Sequence, residues 1–123
     1  MICLDTNYLI LGLVDGSLES RELTAWVARG DRLVTPTVAW YEFLCGPVSA
    51  AQVRTMRAFV QELLPFDESH ASVAAALFNA CGRKRTLRID AMIAATAIAS
   101  GARLATGNRA DFTHFTASGL TFA

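Results

Sequence analysis

Short apolar runs alternate with longer stretches of helical spacing along the whole chain, and this alternation restricts the fold more than any other feature. Runs of strand type occur at Ile2–Leu4, Leu33–Thr35, Leu64–Phe66, Arg103–Ala105 and Leu120–Phe122. Between them, "SRELTAWVARG" (20–30) has a serine to cap its start and a glycine to end it. "TVAWYEFLCG" (37–46) ends the same way, with Pro47 just beyond. "SAAQVRTMRAFVQELL" (49–64) places Val53, Met56, Phe59, Val60 and Leu63 on one stripe. "ESHASVAAALFNACG" (68–82) and "LRIDAMIAATAIASG" (87–101) follow. Parallel strands need long crossovers, usually helices, so this order predicts an α/β fold with a parallel sheet covered on both faces.

At 123 residues the chain suits one domain, spanning 1–123, with no linker, repeat or low-complexity tract. A composition 53% hydrophobic and 18% charged excludes a disordered tail. Eleven basic and eleven acidic residues cancel, so a polyanion must be met by a local patch. Three widely spaced cysteines, Cys3, Cys45 and Cys81, form neither a disulfide framework nor a zinc set, and fit a reducing compartment. "MICLDTN" lacks the marks of a signal peptide, and the uncharged run 91–102 is too short to span a bilayer. The expectation is a soluble cytoplasmic domain.

Ligands of open α/β sheets gather beyond the carboxyl ends of the strands. Four acids are expected there. Asp5 ends the first strand in "ICLDTN", and Glu42 lies in the helix after the second strand, flanked by Val38, Ala39, Cys45 and Gly46. Asp90 opens the apolar helix "RIDAMIAATAIAS", where Thr86, Leu87, Ile93 and Ala94 offer no cation at helical spacing. Asp111 follows the fourth strand in "ATGNRADF". Gathered carboxylates are costly unless protonated or neutralised, and a hard divalent cation removes the problem. Magnesium or manganese takes oxygen ligands, keeps several waters and uses few protein carboxylates. Each acid alone also admits a plainer role: Asp5 as a helix cap, Asp90 and Asp111 at helix starts, Glu42 on a solvent-facing stripe.

Thr6 and Asn7 beside Asp5, and Thr106 and Asn108 around Gly107, could orient waters or substrate, or form ordinary turns. "GRKRTLR" (82–88) is either a solvated charge run or a place to hold substrate phosphates, with Arg83 and Arg85 as candidates. His70 and His114 have no partnering motif for zinc.

"LDTN", the helix glutamate, "DAMIAATAIASG" and "LATGNRADF" together resemble the PIN-domain family, and within it the VapC-type toxin ribonucleases of bacterial toxin–antitoxin pairs. The resemblance covers essentially the whole chain. It implies a three-layer α/β/α sandwich around a parallel sheet of about five strands. It implies a Mg2+- or Mn2+-dependent endoribonuclease with one or two ions, leaving 5′-phosphate and 3′-hydroxyl ends. A small cognate antitoxin that inhibits the enzyme, and a homodimer, are also implied. Asp5, Glu42, Asp90 and Asp111 match the family's acidic quartet, with Asn108 competing with Asp111 for the direct role. One departure is the loop before Asp90: relatives often carry a glycine–arginine–proline run where this chain reads "GRKRTLR".

Two other readings compete. A non-catalytic module with the same fold need not crowd four carboxylates. A magnesium-binding phospho-acceptor domain wants paired acids after strand one, an aspartate after strand three, which Asp67 supplies, and a lysine after strand five; Lys84, the one lysine, stands elsewhere.

Overall fold

The computed structural model describes residues 1–123. Four parallel strands form the sheet: β1 (Ile2–Leu4), β2 (Leu33–Pro36), β3 (Glu62–Leu64) and β4 (Arg103–Ala105), in the order β3-β2-β1-β4. The expected fifth stretch joins the β4 edge through a single parallel bridge, Leu104 to Phe122. Around it the Leu104 N–H donates to Thr121 O at 2.8 Å and the Ala123 N–H donates to Leu104 O at 2.9 Å. Helices α1 (Thr6–Leu11) and α2 (Leu18–Ala28) connect β1 to β2; α3 (Thr37–Cys45) and α4 (Ala50–Phe59) connect β2 to β3. α5 (Glu68–Ala80) and α6 (Arg88–Ser100) return the chain across the sheet to β4, and α7 (Arg109–Phe112) follows.

This strand order reverses at β1. The first two crossovers advance in one direction and the third runs back past β1. Right-handed connections therefore place the two sets of helices on opposite faces. In open α/β sheets the ligand crevice lies at such a reversal, here where β1 and β4 end side by side.

Every residue of β1 and β2 is buried, as the interior of a sheet covered on both faces requires. α6 is enclosed almost all round: Ala91, Ile93, Ala94, Ala95, Thr96 and Ala97 are buried. Its alanines allow close approach of neighbours, and Thr96 returns its hydroxyl to Met92 O at 2.9 Å, which satisfies the one buried polar side chain. The helix stops at Gly101, which adopts φ 68 at the cap.

Some boundaries differ from the sequence reading. α2 begins at Leu18, because Ser17 rather than Ser20 is the cap; its Oγ accepts from the Ser20 N–H at 3.0 Å. The stripe drawn over 49–64 ends as a helix at Phe59, and β3 starts at Glu62 instead of Leu64. Gln61 explains the switch: its N–H donates to Leu33 O at 2.9 Å and its side-chain oxygen accepts from Leu33 N–H at 2.7 Å. Pairing with β2 thus captures residues whose apolar spacing would have continued the helix. α1, with six residues, is too short for its periodicity to stand out in sequence. No helix is long and apolar enough to cross a membrane.

Candidate functional site

Asp5 leaves β1 at the crevice and is 5% exposed. Its backbone N–H donates to Ala105 O at 3.0 Å, which ties the ends of β1 and β4 together. Its side chain caps α1 and also reaches the β4–α7 loop. Oδ1 accepts from the Thr6 N–H at 2.7 Å, and Oδ2 accepts from the Thr106 hydroxyl at 2.8 Å. The Thr106 oxygen in turn accepts from the Asn108 N–H at 3.0 Å. On the other side the Thr6 hydroxyl donates to Glu42 Oε1 at 2.7 Å. A continuous line of hydrogen bonds therefore runs from the β4–α7 loop through Asp5 to α3. Each carboxylate oxygen has further acceptor capacity beyond these bonds.

Glu42 is half-buried on α3, so it does not lie on a fully solvated stripe. Asp90 is half-buried in the first turn of α6, and Asp111 is exposed in α7. α6 packs against both α3 and α7, which brings the three helices around the end of β1. Burial pushes the Asp90 carboxyl up to about 6, with further upward pressure from the charges of Asp5, Asp111 and Glu42. Asp5 is raised mainly by its burial and partly by Glu42; the bonds from Thr106 and the Thr6 N–H oppose the rise. No cation acts on either group. The chain's ion pairs lie elsewhere, at Arg29–Asp31, Arg32–Glu62 and His70–Asp67.

These contacts give the four acids one shared electrostatic environment. No three of them close into a tight ligand cage. A divalent ion of the magnesium type needs no such cage, since it takes one or two carboxylates and fills the rest of its shell with water and phosphate oxygen. The donor set therefore fits a hard divalent cation.

Asn7 turns its amide toward the β4–α7 loop; a Cβ added at Gly107 would stand 3.8 Å from Asn7 Nδ2. Asn108 is exposed at the start of α7, with its backbone fixed by Thr106. Arg83 and Arg85 are exposed in the loop before α6, where Arg85–Leu87 form a 3-10 turn. Arg83 bonds to the Asn79 side chain and lies 5.4 Å from the centre of the Phe78 ring, on which Arg88 also rests at 5.5 Å. That Phe78 contact is not legible in sequence, because the loop's turn, not helical spacing, brings Arg83 back to it. Lys84 is exposed in the same loop. Asp67 caps α5, bonded by the Ser69 hydroxyl at 2.6 Å and by the His70 N–H at 3.2 Å. Neither residue joins the acidic crevice, which leaves the phospho-acceptor reading without its parts.

No curated protein matches the chain. Solved structures share its fold. The crystal structure of VapBC2 from Rickettsia felis, bound to a DNA fragment from the promoter, superposes with a TM-score of 0.80 at 17% identity, covering 100% of this chain and 98% of that one. DNA-bound VapBC from Salmonella typhimurium gives 0.74 at 21% identity over 99% and 96%. A toxin–antitoxin complex from Klebsiella pneumoniae gives 0.71 at 26% identity over 91% and 90%. The family model for the PIN domain matches residues 2–116, nearly the whole chain and all four acids at the crevice, and the chain belongs to the PIN domain family.

Proposed function

We propose that this chain is a Mg2+- or Mn2+-dependent endoribonuclease, the toxin of a toxin–antitoxin pair. One observation carries the reading: buried Asp5, half-buried Glu42 and half-buried Asp90 share one neighbourhood with no protein cation paired to any of them. A structural role for Asp90 would be better served by a neutral side chain.

Asp5 and Asp90 are the residues that would hold one or two ions, with Glu42 and Asp111 in direct or water-bridged contact. A bound divalent ion supplies Lewis-acid charge, which acidifies water and offsets negative charge growing on a phosphodiester. The chain's own part is to aim its acids and, at Asp5, to oppose protonation. The Thr6 N–H and the Thr106 hydroxyl favour the charged form of Asp5. Thr6 fixes the rotamer of Glu42 by its 2.7 Å bond. A carboxylate at the rim, Glu42 or Asp111, would accept the attacking water's proton.

The partner assignment draws on the relatives, which include VapBC assemblies and a complex described as toxin–antitoxin. Exposed Ile10 and Leu11 on α1, Val14 just after it, and Tyr41 and Leu44 on α3 give this chain apolar surface of the kind protein partners cover. An antitoxin and a second copy of the chain are the proposed occupants.

The test is incubation of the purified chain with cellular RNA in Mg2+, followed by mapping of new 5′-phosphate ends. Discrete ends are expected, abolished by chelation. Asp5→Asn and Asp90→Asn should each lower the rate by roughly 1000-fold, equivalent to several kcal/mol of lost transition-state stabilisation, with unchanged circular dichroism. Wild-type cleavage by either variant would remove the assignment.

A further inference from the structure

Outside the crevice, positive charge is gathered in one place. Arg83, Lys84, Arg85 and Arg88 stand within six positions of a chain whose formal net charge is zero. None of them is in an ion pair. Arg83 is the one non-glycine residue with a left-handed backbone, at φ 58, a conformation that persists where surrounding contacts impose it. Its N–H donates to Phe78 O at 3.1 Å, and its guanidinium bonds Asn79 and lies over the Phe78 ring. Arg88 reaches the same ring from α6. Two like charges are thus fixed on one aromatic side chain with no carboxylate between them. Outward-facing guanidinium donors in this arrangement suit a phosphate, which each can bind in a fork.

Phe78 is also a wall of an apolar groove between α5 and α6, about 240 Å³ in volume, with Phe66, Ala74 and Met92 among its other walls and Arg88 at its edge. That is below the roughly 300–1,000 Å³ of sites for drug-sized ligands, and it suits one flat ring. Unpaired bases stack on aromatic and guanidinium planes of this kind. Arg88 and Asp90 share the first turn of α6 but point to different sides of it, as residues two apart do on a helix. The groove and Asp90 thus lie on different sides of the start of α6.

We propose that Arg83 and Arg88, gathered on Phe78, hold a backbone phosphate of single-stranded RNA while the adjoining base enters the α5–α6 groove. This subsite lies along the strand from the bond that is cut. Its ligand rests on the ribonuclease reading, and its test does not depend on cleavage.

Binding of a short fluorescent single-stranded RNA of mixed sequence to the full chain is measured in chelator over a range of salt. Arg83→Gln with Arg88→Gln should weaken binding about tenfold and lower the slope of log K against log salt by roughly 0.7, the loss of one phosphate contact. Phe66→Leu should weaken binding by about tenfold with the slope unchanged, as loss of base stacking does. Arg54→Gln, exposed on α4, should alter neither. Wild-type affinity and slope in the double arginine variant would overturn the proposal, as would failure of the parent chain to bind RNA at all. So would a change in sedimentation with RNA binding intact, which would mark the groove as a contact between copies. Absence of cleavage in Mg2+ bears only on the ribonuclease reading and leaves the binding comparison standing.

Discussion

Asp90 ties the stability of the fold to pH. Its folded pKa of about 6 lies above the ordinary value of 3.8, so the native state takes up the proton more readily than the unfolded chain. The stabilising contribution is complete below pH 4 and is lost as pH rises through 6. At pH 7.5 without metal, Asp90→Asn should therefore raise the melting temperature by roughly 4 °C, about 1 kcal/mol after allowing for solvent screening of a half-buried group. The advantage should vanish near pH 4; a melting curve that ignores pH would contradict the assigned environment. Thr106 tests positioning at the same scale. Thr106→Val removes the 2.8 Å bond to Asp5 while keeping the shape, and should cost about 10- to 100-fold in cleavage rate or metal affinity. Glu42 and Asp90 stand out in sequence because neither has a cation at helical spacing. The threonine bonds do not, since Thr106 and Asp5 are far apart in the chain and meet only when β4 pairs with β1.

Elements were legible where local chemistry decides them and obscure where pairing does. α6 carries its own signals, an acid in the first turn and Gly101 at its end, and the reading 87–101 closely matches Arg88–Ser100. The end of α4 has no such signal. Met56 and Phe59 continue smoothly to Val60 and Leu63 in sequence, and only the exchange of hydrogen bonds between Gln61 and Leu33 ends the helix. The fifth strand weakens for a related reason: it lies at the sheet edge with one bridge to hold it. Contacts between elements are close at Gly12, where α1 ends. A Cβ there would stand 2.5 Å from Tyr8 O, collide with Leu23 and press within 3.2 Å of Met56 Cε, so α1, α2 and α4 would have to separate. Gly12→Ala is expected to destabilise the chain by roughly 1–3 kcal/mol, read as a lower urea midpoint; an unchanged midpoint would show that this packing is looser than described.

For the molecule as a whole, topology does what no single motif can. Strand order reverses at β1, so segments that follow β1 and β4 diverge and leave a crevice with Asp5 at its floor. α3, α6 and α7 then bring Glu42, Asp90 and Asp111 to its walls. The sequence implied a parallel sheet and one rim, but the β3-β2-β1-β4 order depends on long-range pairing that no local window contains. Net neutrality gives the molecule little long-range attraction for a polyanion, so RNA binding should depend on local arginine contacts.

The gathering of the four acids around a divalent ion is tested most directly by electron paramagnetic resonance of free Mn2+ titrated with the chain at pH 7.5. The wild type should remove Mn2+ from solution at one or two sites, and Asp5→Asn and Asp90→Asn should each lose that uptake while remaining folded. Uptake by both variants equal to the wild type, or none by any of the three, would contradict the account.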